Sequence, residues 1–450
     1  MQDLANRIAG TPYSTLLFLL FLVIPISIAI NPELVPRFLG ETSHISQHGY
    51  LDLEHYIAIA RNFDLEAWRT AFYPVWPSLL RFANNLSTIG IYKTAIFLSA
   101  LIGVISLVIS KSIFYRITEN TLSGFISWSL YVISPMTVFF FCGYTESLFA
   151  LESWLVIIAA INILTLGKSN RRLYFINAFI LVTSSIFLAL TRPTLVQNIF
   201  SVIGTMLILS NLKKGRVSLS YNRCIKVSIL ILASSIIGYI IYGSSLIAEG
   251  FRFFEPFHAQ SDWNKSLGFR PIFLLTSKSP IIDLWGLYYP LILIASSTSG
   301  LKLFNIELGF IQRVFFKKLP LTLLYPPLGI VYGLASNLVN PKGKNNHVLL
   351  KESPNKLSTF RELEFIFWYS ALFAFSHSII TFLTQPEYMN SLGRYVFGQP
   401  YFYIAMSFVI AKIGEQNIRK IGPFFIAIFG ISTLYLLKNF IDFGNARLLT

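Results

Sequence analysis

Charge is what this chain has least of. Only 13% of its 450 residues are Asp, Glu, Lys or Arg, about half the share of a soluble domain. With 54% hydrophobic residues and a mean hydropathy of +0.61, that scarcity excludes a water-soluble globular domain. Acidic residues are scarcer still, 21 against 36 basic ones, for a formal net charge of +15. In a polytopic membrane protein such an excess reflects Lys and Arg gathered in cytoplasmic loops, so no nucleic-acid partner is expected. Cysteine is nearly missing. Cys142 and Cys224 fall in segments expected on opposite faces of the membrane, which excludes an internal disulfide. The sequence holds no GxGxxG-type nucleotide loop, internal repeat or low-complexity tract. Its carboxylates form no compact ligand cluster, so neither a tightly bound structural metal nor a cofactor is expected.

Apolar length is what the chain has in abundance, with 41 Phe and 22 Tyr to fill the interior and belt the interfaces. Runs near the roughly 20 residues that cross a bilayer lie at 14–31, 92–110, 120–141, 146–166, 173–191, 194–211, 226–244, 281–298, 319–337, 362–383, 396–412 and 421–438. The first, with Arg7 before it and small residues near Ala29, reads as an uncleaved anchor rather than a signal peptide. The fold class is therefore all-α and polytopic, with about 10–12 transmembrane helices in one domain over 1–450.

The stretches "KSIFYRITEN", "GKSNRRL", "NLKKGRVSLSYNRCIK" and "AKIGEQNIRK" are rich in Lys and Arg, and counting spans puts all four on one face, the cytoplasmic one. The other face receives a first external loop (32–91), the turns "FCGYTES" and "LTRPT", an external loop at 245–280, and "SLGRYVFGQP". Simple alternation places the basic loop 338–361 outside. Either 319–337, broken at Pro326–Pro327, is re-entrant, or 281–298 does not cross; the re-entrant reading keeps the later loops consistent.

The external face carries most of the polar chemistry. Written as a helix, 51–63 puts Leu53, Tyr56, Ile57 and Ala60 on one stripe and makes Asp52 and His55 neighbours, with Glu54 pointing elsewhere. The pattern predicts an interfacial amphipathic helix on the outer leaflet; a merely solvated polar face fits the same residues. Glu146 ends the "CGYTES" turn, and Glu152 lies deeper in the following span, where an ionisable group is a functional suspect. Arg192 sits in "LTRPT", Arg394 in "SLGRYVF", and "FRFFEPFHAQSDWNKSLGFRP" supplies Gln260, Trp263 and Lys265. Any single arginine could merely snorkel. Together, a carboxylate could take a proton from an attacking hydroxyl, and arginines could hold a phosphate as it leaves. The combination fits transfer of a sugar from a lipid phosphate to a hydroxyl outside the cytoplasm.

Five segments carry a family resemblance. "LDLEHYIAIA…AFYPVWPSLLR" resembles the D-x-x-H-Y-x-x-I-A…A-F-F-P-L-Y-P signature of the phosphatidylinositol-glycan class V mannosyltransferases, the second mannosyltransferases of GPI-anchor assembly, which have bacterial homologues. "SPMTVFFFCGYTESLFALESW", "LTRPT", "FHAQSDWNK" and "GRYVFGQPYF" are similar to its later segments, in order, over residues 49–402. The chain departs from the pattern at Tyr50–Leu51, where an aromatic usually precedes the Asp, and at Lys265, near a usual Arg.

The resemblance implies a GT-C glycosyltransferase with an external active site. It implies a polyprenyl-phosphate donor, by family default carrying mannose, and an inverting displacement. The acceptor hydroxyl would belong to a glycan, lipid or protein. The membrane would be a bacterial plasma membrane or the endoplasmic reticulum. Carried over by motif, Asp52, His55 and Glu146 are the catalytic candidates, with Asp52 as general base. Tyr56, Tyr144, Arg192, Gln260, Trp263, Arg394 and Tyr395 are the substrate-binding ones. A transporter or lipid flippase is the alternative, and would more often show internal repeats and mid-bilayer charges; a structural assembly subunit is the third reading.

Overall fold

The computed structural model describes residues 52–62, 66–87, 89–165, 170–212, 220–262, 265, 267–270, 286, 290, 363–384, 392–413 and 422–444. The runs at 14–31 and 319–337 and the loop 338–361 lie outside the described residues, as does nearly all of 281–298. Helix α1 (Asp52–Asn62) is followed by a 3-10 turn (Ala67–Ala71), α2 (Val75–Leu86), α3 (Ile91–Thr118), α4 (Thr121–Val132), a second 3-10 turn (Pro135–Phe140) and α5 (Glu146–Thr165). Then come α6 (Arg171–Thr191), α7 (Leu195–Leu212), α8 (Ser220–Ala248), α9 (Glu255–Asp262), α10 (Glu364–Leu383), α11 (Leu392–Phe397), α12 (Pro400–Ile413) and α13 (Gly422–Gly444).

Among the described residues no strand occurs, and six helices, α3, α5, α6, α8, α10 and α13, are long and apolar enough to cross a membrane. The protein is an all-α, multi-pass membrane protein. Helices α5 and α10 are covered on most sides by protein, whereas α3, α6, α8 and α13 present bare apolar faces. Phe97 and Leu101, Phe175 and Phe179, Ile229 and Ile240, and Ile426 and Leu434 are exposed there. On a bundle in lipid those faces are solvated by acyl chains, and no hydrophobic penalty attaches to them.

The run at 120–141 is not one span. Asn120 caps α4 by accepting from Ser123 N–H at 3.0 Å, and α4 stops after 12 residues. Proline at 135 has no amide to donate and its ring would strike the carbonyl four residues back. The chain restarts there as a 3-10 turn, and the pair packs almost wholly inside the protein.

Helix α1 forms as the stripe predicted: Leu53, Tyr56, Ile57 and Ala60 are all buried. What covers them differs from the expectation. The stripe faces protein rather than lipid: Leu53 and Ile57 join the main core, and Tyr56 packs with Trp76, Ile102 and Leu148. The stripe is apolar enough for either surrounding, and α2 and α3 help to cover it.

The two ends of the bundle separate the chemistry. At one end Arg116 bonds Asn162 and Thr165, and Arg223 donates to the Leu164 carbonyl at 2.6 Å. Two of the four basic stretches thus meet there, at the end of α5. Glu146 begins α5 and Thr165 ends it, so the acidic end lies roughly 28 Å away at 1.5 Å per residue.

Candidate active site

The site is built around a turn. Between the 3-10 segment ending at Phe140 and α5, residues Cys142–Thr145 reverse the chain through Gly143, at φ +79°. A Cβ there would lie 3.0 Å from Leu53 Cδ1 and 3.2 Å from the Ala95 Cβ, so glycine serves both the left-handed backbone and the close approach of α1. Both backbone groups of Gly143 are clamped: its N–H donates to Ser99 Oγ at 2.9 Å and its carbonyl accepts from Trp76 Nε1 at 3.0 Å. The turn delivers Glu146 as the first residue of α5, where the helix dipole favours a carboxylate. Its side chain is fully buried, 0% exposed.

Two arginines converge on that carboxylate from distant parts of the chain. Arg192, the C-cap of α6, donates Nη2 to Glu146 Oε1 at 2.7 Å; Pro193 follows and ends the helix. Arg394, on α11, donates Nε to the same oxygen at 2.5 Å and Nη1 to Asp52 Oδ2 at 2.8 Å. Helix α11 closes at Gly398, whose N–H reaches the Arg394 carbonyl at 3.0 Å. A Cβ on Gly398 would stand 2.5 Å from that carbonyl oxygen, so only glycine lets α12 begin at Pro400.

Aromatic rings wall the cations in. The Arg394 guanidinium lies 4.5 Å from the Phe139 ring, 4.7 Å from Tyr144 and 5.7 Å from Tyr395. Arg192 lies 5.6 Å from Phe149 and 5.5 Å from Tyr395. Tyr56 reaches the turn through its hydroxyl, 3.4 Å from Thr145 Oγ1. Seven of the sequence candidates, Asp52, Tyr56, Tyr144, Glu146, Arg192, Arg394 and Tyr395, therefore share one site.

Burial pushes the Asp52 carboxyl up, but the charge and hydrogen bond of Arg394, helped by Arg192 and Lys265, outweigh it and hold the group below its usual range. The carboxylate is ionised and, at 31% side-chain exposure, reachable. Burial works against the Arg394 cation, yet Glu146 and Asp52 raise its pKa well above the ordinary value. Burial, with Asp52 adding to it, keeps the Tyr144 and Tyr56 phenols protonated.

The cluster leaves polar atoms over. Glu146 Oε2, Arg192 Nη1 and Arg394 Nη2 are buried and find no hydrogen-bond partner among the described residues. Buried polar atoms are nearly always satisfied; the two spare guanidinium nitrogens are donors that suit an oxygen-rich ligand, whereas Glu146 Oε2 is an acceptor and would need a donor of its own.

Other candidates sit beside this core. His55 packs against Trp68 and Phe72, with ring centroids at 5.0 and 4.9 Å. Burial lowers its pKa, although Asp52 pulls the other way, so the imidazole is neutral near pH 7. His55, Ala67, Trp68 and Asp262 line a cavity of about 490 Å³ between α1 and α9. Gln260, on α9, accepts from Lys265 Nζ at 3.2 Å. Trp263 lies outside the described residues. No three His, Cys, Asp or Glu side chains among the described residues stand close enough to hold a metal ion.

Sequence reasoning passed over Trp76, Ser99 and His377. Trp76 was visible inside "AFYPVWP"; Ser99 had no local signal; His377 is a lone ionisable residue in an apolar run, which is itself a signal.

No family model matches the chain, and no curated protein matches it. Among solved structures it is similar to an oligosaccharyltransferase of Archaeoglobus fulgidus crystallised with zinc and sulfate, at 14% identity and a TM-score of 0.43. The similarity covers 95% of this chain and 53% of that one; the chain spans about half the length of that protein.

Proposed function

We propose that this protein is a GT-C-type glycosyltransferase that moves a sugar, mannose by family resemblance, from a polyprenyl phosphate to an acceptor hydroxyl. The observation that carries the reading is the ion cluster: a reachable, ionised Asp52 joined through Arg394 to Glu146 and Arg192, with guanidinium nitrogens left over. A base and a phosphate clamp belong within one displacement, and here one arginine touches both halves.

In that displacement the acceptor oxygen attacks the anomeric carbon from the face opposite the phosphate. The new C–O bond forms as the bond to the phosphate oxygen breaks, and its electron pair leaves with the polyprenyl phosphate. Asp52 accepts the hydroxyl proton late, since a carboxylate is far too weak a base to remove it beforehand. Arg192 and Arg394 neutralise charge as it grows on the phosphate. Glu146 is a positioning residue that holds the two guanidiniums at fixed angles. The cavity beside His55 and Trp68 suits an acceptor sugar, whose C–H face packs on indole.

Transport is the competing reading, and Glu152 favours it: a carboxylate inside α5, buried, with Thr191 Oγ1 donating to it at 2.9 Å. Proteoliposomes given a polyprenyl-phosphate mannose labelled in the sugar, with native membrane lipids as acceptor, separate the two. Label should appear in a new product in step with released polyprenyl phosphate. Movement of intact donor across the bilayer without release would establish transport and end the enzyme reading.

A further inference from the structure

Tyr395 is shared by more than the two arginines. The His377 imidazole on α10 lies nearly parallel to the Tyr395 ring, with centroids 5.5 Å apart and 18° between planes. The same ring carries the Arg192 and Arg394 guanidiniums at 5.5 and 5.7 Å. Phe373 backs the imidazole at 6.0 Å. His377 is only 8% exposed, and its Nδ1 has no hydrogen-bond partner among the described residues. The surrounding stretch "SALFAFSHSIITFL" is apolar but for small hydroxyls. Packing alone would be served there by phenylalanine, and an imidazole with an idle nitrogen inside a span is costly unless it is used.

We propose that His377 is a phosphate-binding residue of this site, donating a hydrogen bond from Nδ1 to the oxygen that leaves the sugar. The proposal rests on the glycosyl-transfer reading above. A sugar phosphodiester has two non-bridging oxygens, and the spare nitrogens Arg192 Nη1 and Arg394 Nη2 match them in number. The third oxygen, bridging to the sugar, acquires charge only as the bond breaks, so a third donor serves the transition state and the product more than the substrate. A hydrogen bond suffices, and no proton changes hands.

The test uses full-length protein in lipid nanodiscs, with a polyprenyl phosphate and the unphosphorylated polyprenol as probes. Wild type should bind the phosphate and not the alcohol. His377→Phe keeps a ring on Tyr395 without the N–H and should lose about tenfold or more in affinity for the phosphate. His377→Asn, whose amide falls near Nδ1, should stay close to wild type; His377→Gln, whose amide falls near Nε2, should weaken like Phe. The Asn and Gln pair decides the matter even where the Phe variant unfolds. Equal phosphate affinity in wild type, Phe and Gln variants overturns the role of His377 and leaves the clamp standing. A wild type that binds phosphate and alcohol alike overturns both.

Discussion

Arg192 and Arg394 meet on a single oxygen of Glu146, although 202 positions separate them in the chain. Two like charges that close repel strongly in a low-dielectric interior. They coexist because Glu146 lies between them and Asp52 neutralises Arg394 from the other side. The cluster contains two cations and two anions, so it is charge-balanced only while all four members are present.

Removing the central anion should therefore cost far more than removing a buried carboxylate elsewhere in the same helix. Glu146→Gln leaves two guanidiniums facing an amide and should destabilise the protein by about 3–5 kcal/mol. Glu152→Gln keeps an acceptor for Thr191 and should cost about 1 kcal/mol or less. Thermal unfolding of the two variants in one detergent gives the comparison. Equal losses would mean that the cluster is not the electrostatic keystone argued for.

The pH profile of transfer should depend on Arg394 in a directed way. Because Asp52 is held below its usual range, the ionised base persists in acid, and the limb of kcat/KM should fall below about pH 4. Its contribution to stability has the same sign, present above the unfolded carboxyl pKa and lost as pH falls through the lower folded one. Arg394→Gln removes the strongest opposition to burial, so the limb should move up. Arg394→Lys keeps the charge but loses the fork, so the rate should drop with the limb nearly in place. A limb that stays put in the Gln variant would show that Asp52 is not the titrating base.

The bundle's two ends predict its orientation. Both native cysteines are buried, so background labelling is low. An impermeant thiol reagent added outside should label Ser261→Cys, on exposed α9, and miss Asn170→Cys, at the basic end, until the membrane is opened. The reverse pattern would turn the candidate site toward the cytoplasm.

Local features of the chain were legible in its sequence. The period of Leu53, Tyr56, Ile57 and Ala60 specified α1 and its buried side, and apolar length specified α3, α5, α6, α8 and α10. The break at Pro135 was missed because hydropathy counts side chains and ignores the missing amide. Which surface covers the α1 stripe was also hidden, since lipid and α2 are equally apolar. The residues of the cluster could be singled out one by one, through motif or misplaced charge. Their pairing could not, because a contact such as Asp52 with Arg394 leaves no trace in local spacing.

The central claim is that Asp52 takes the acceptor proton, and Asp52→Asn tests it most directly. Asparagine keeps the size and one acceptor oxygen, so the variant should insert and still bind a polyprenyl-phosphate sugar. Transfer should fall by about 10²–10⁴-fold, the usual worth of a general base, while KM for the donor changes little. Glu54→Gln, on the other side of α1, should retain most activity. Near-wild-type transfer by Asp52→Asn, or a larger loss from Glu54→Gln, would contradict the account.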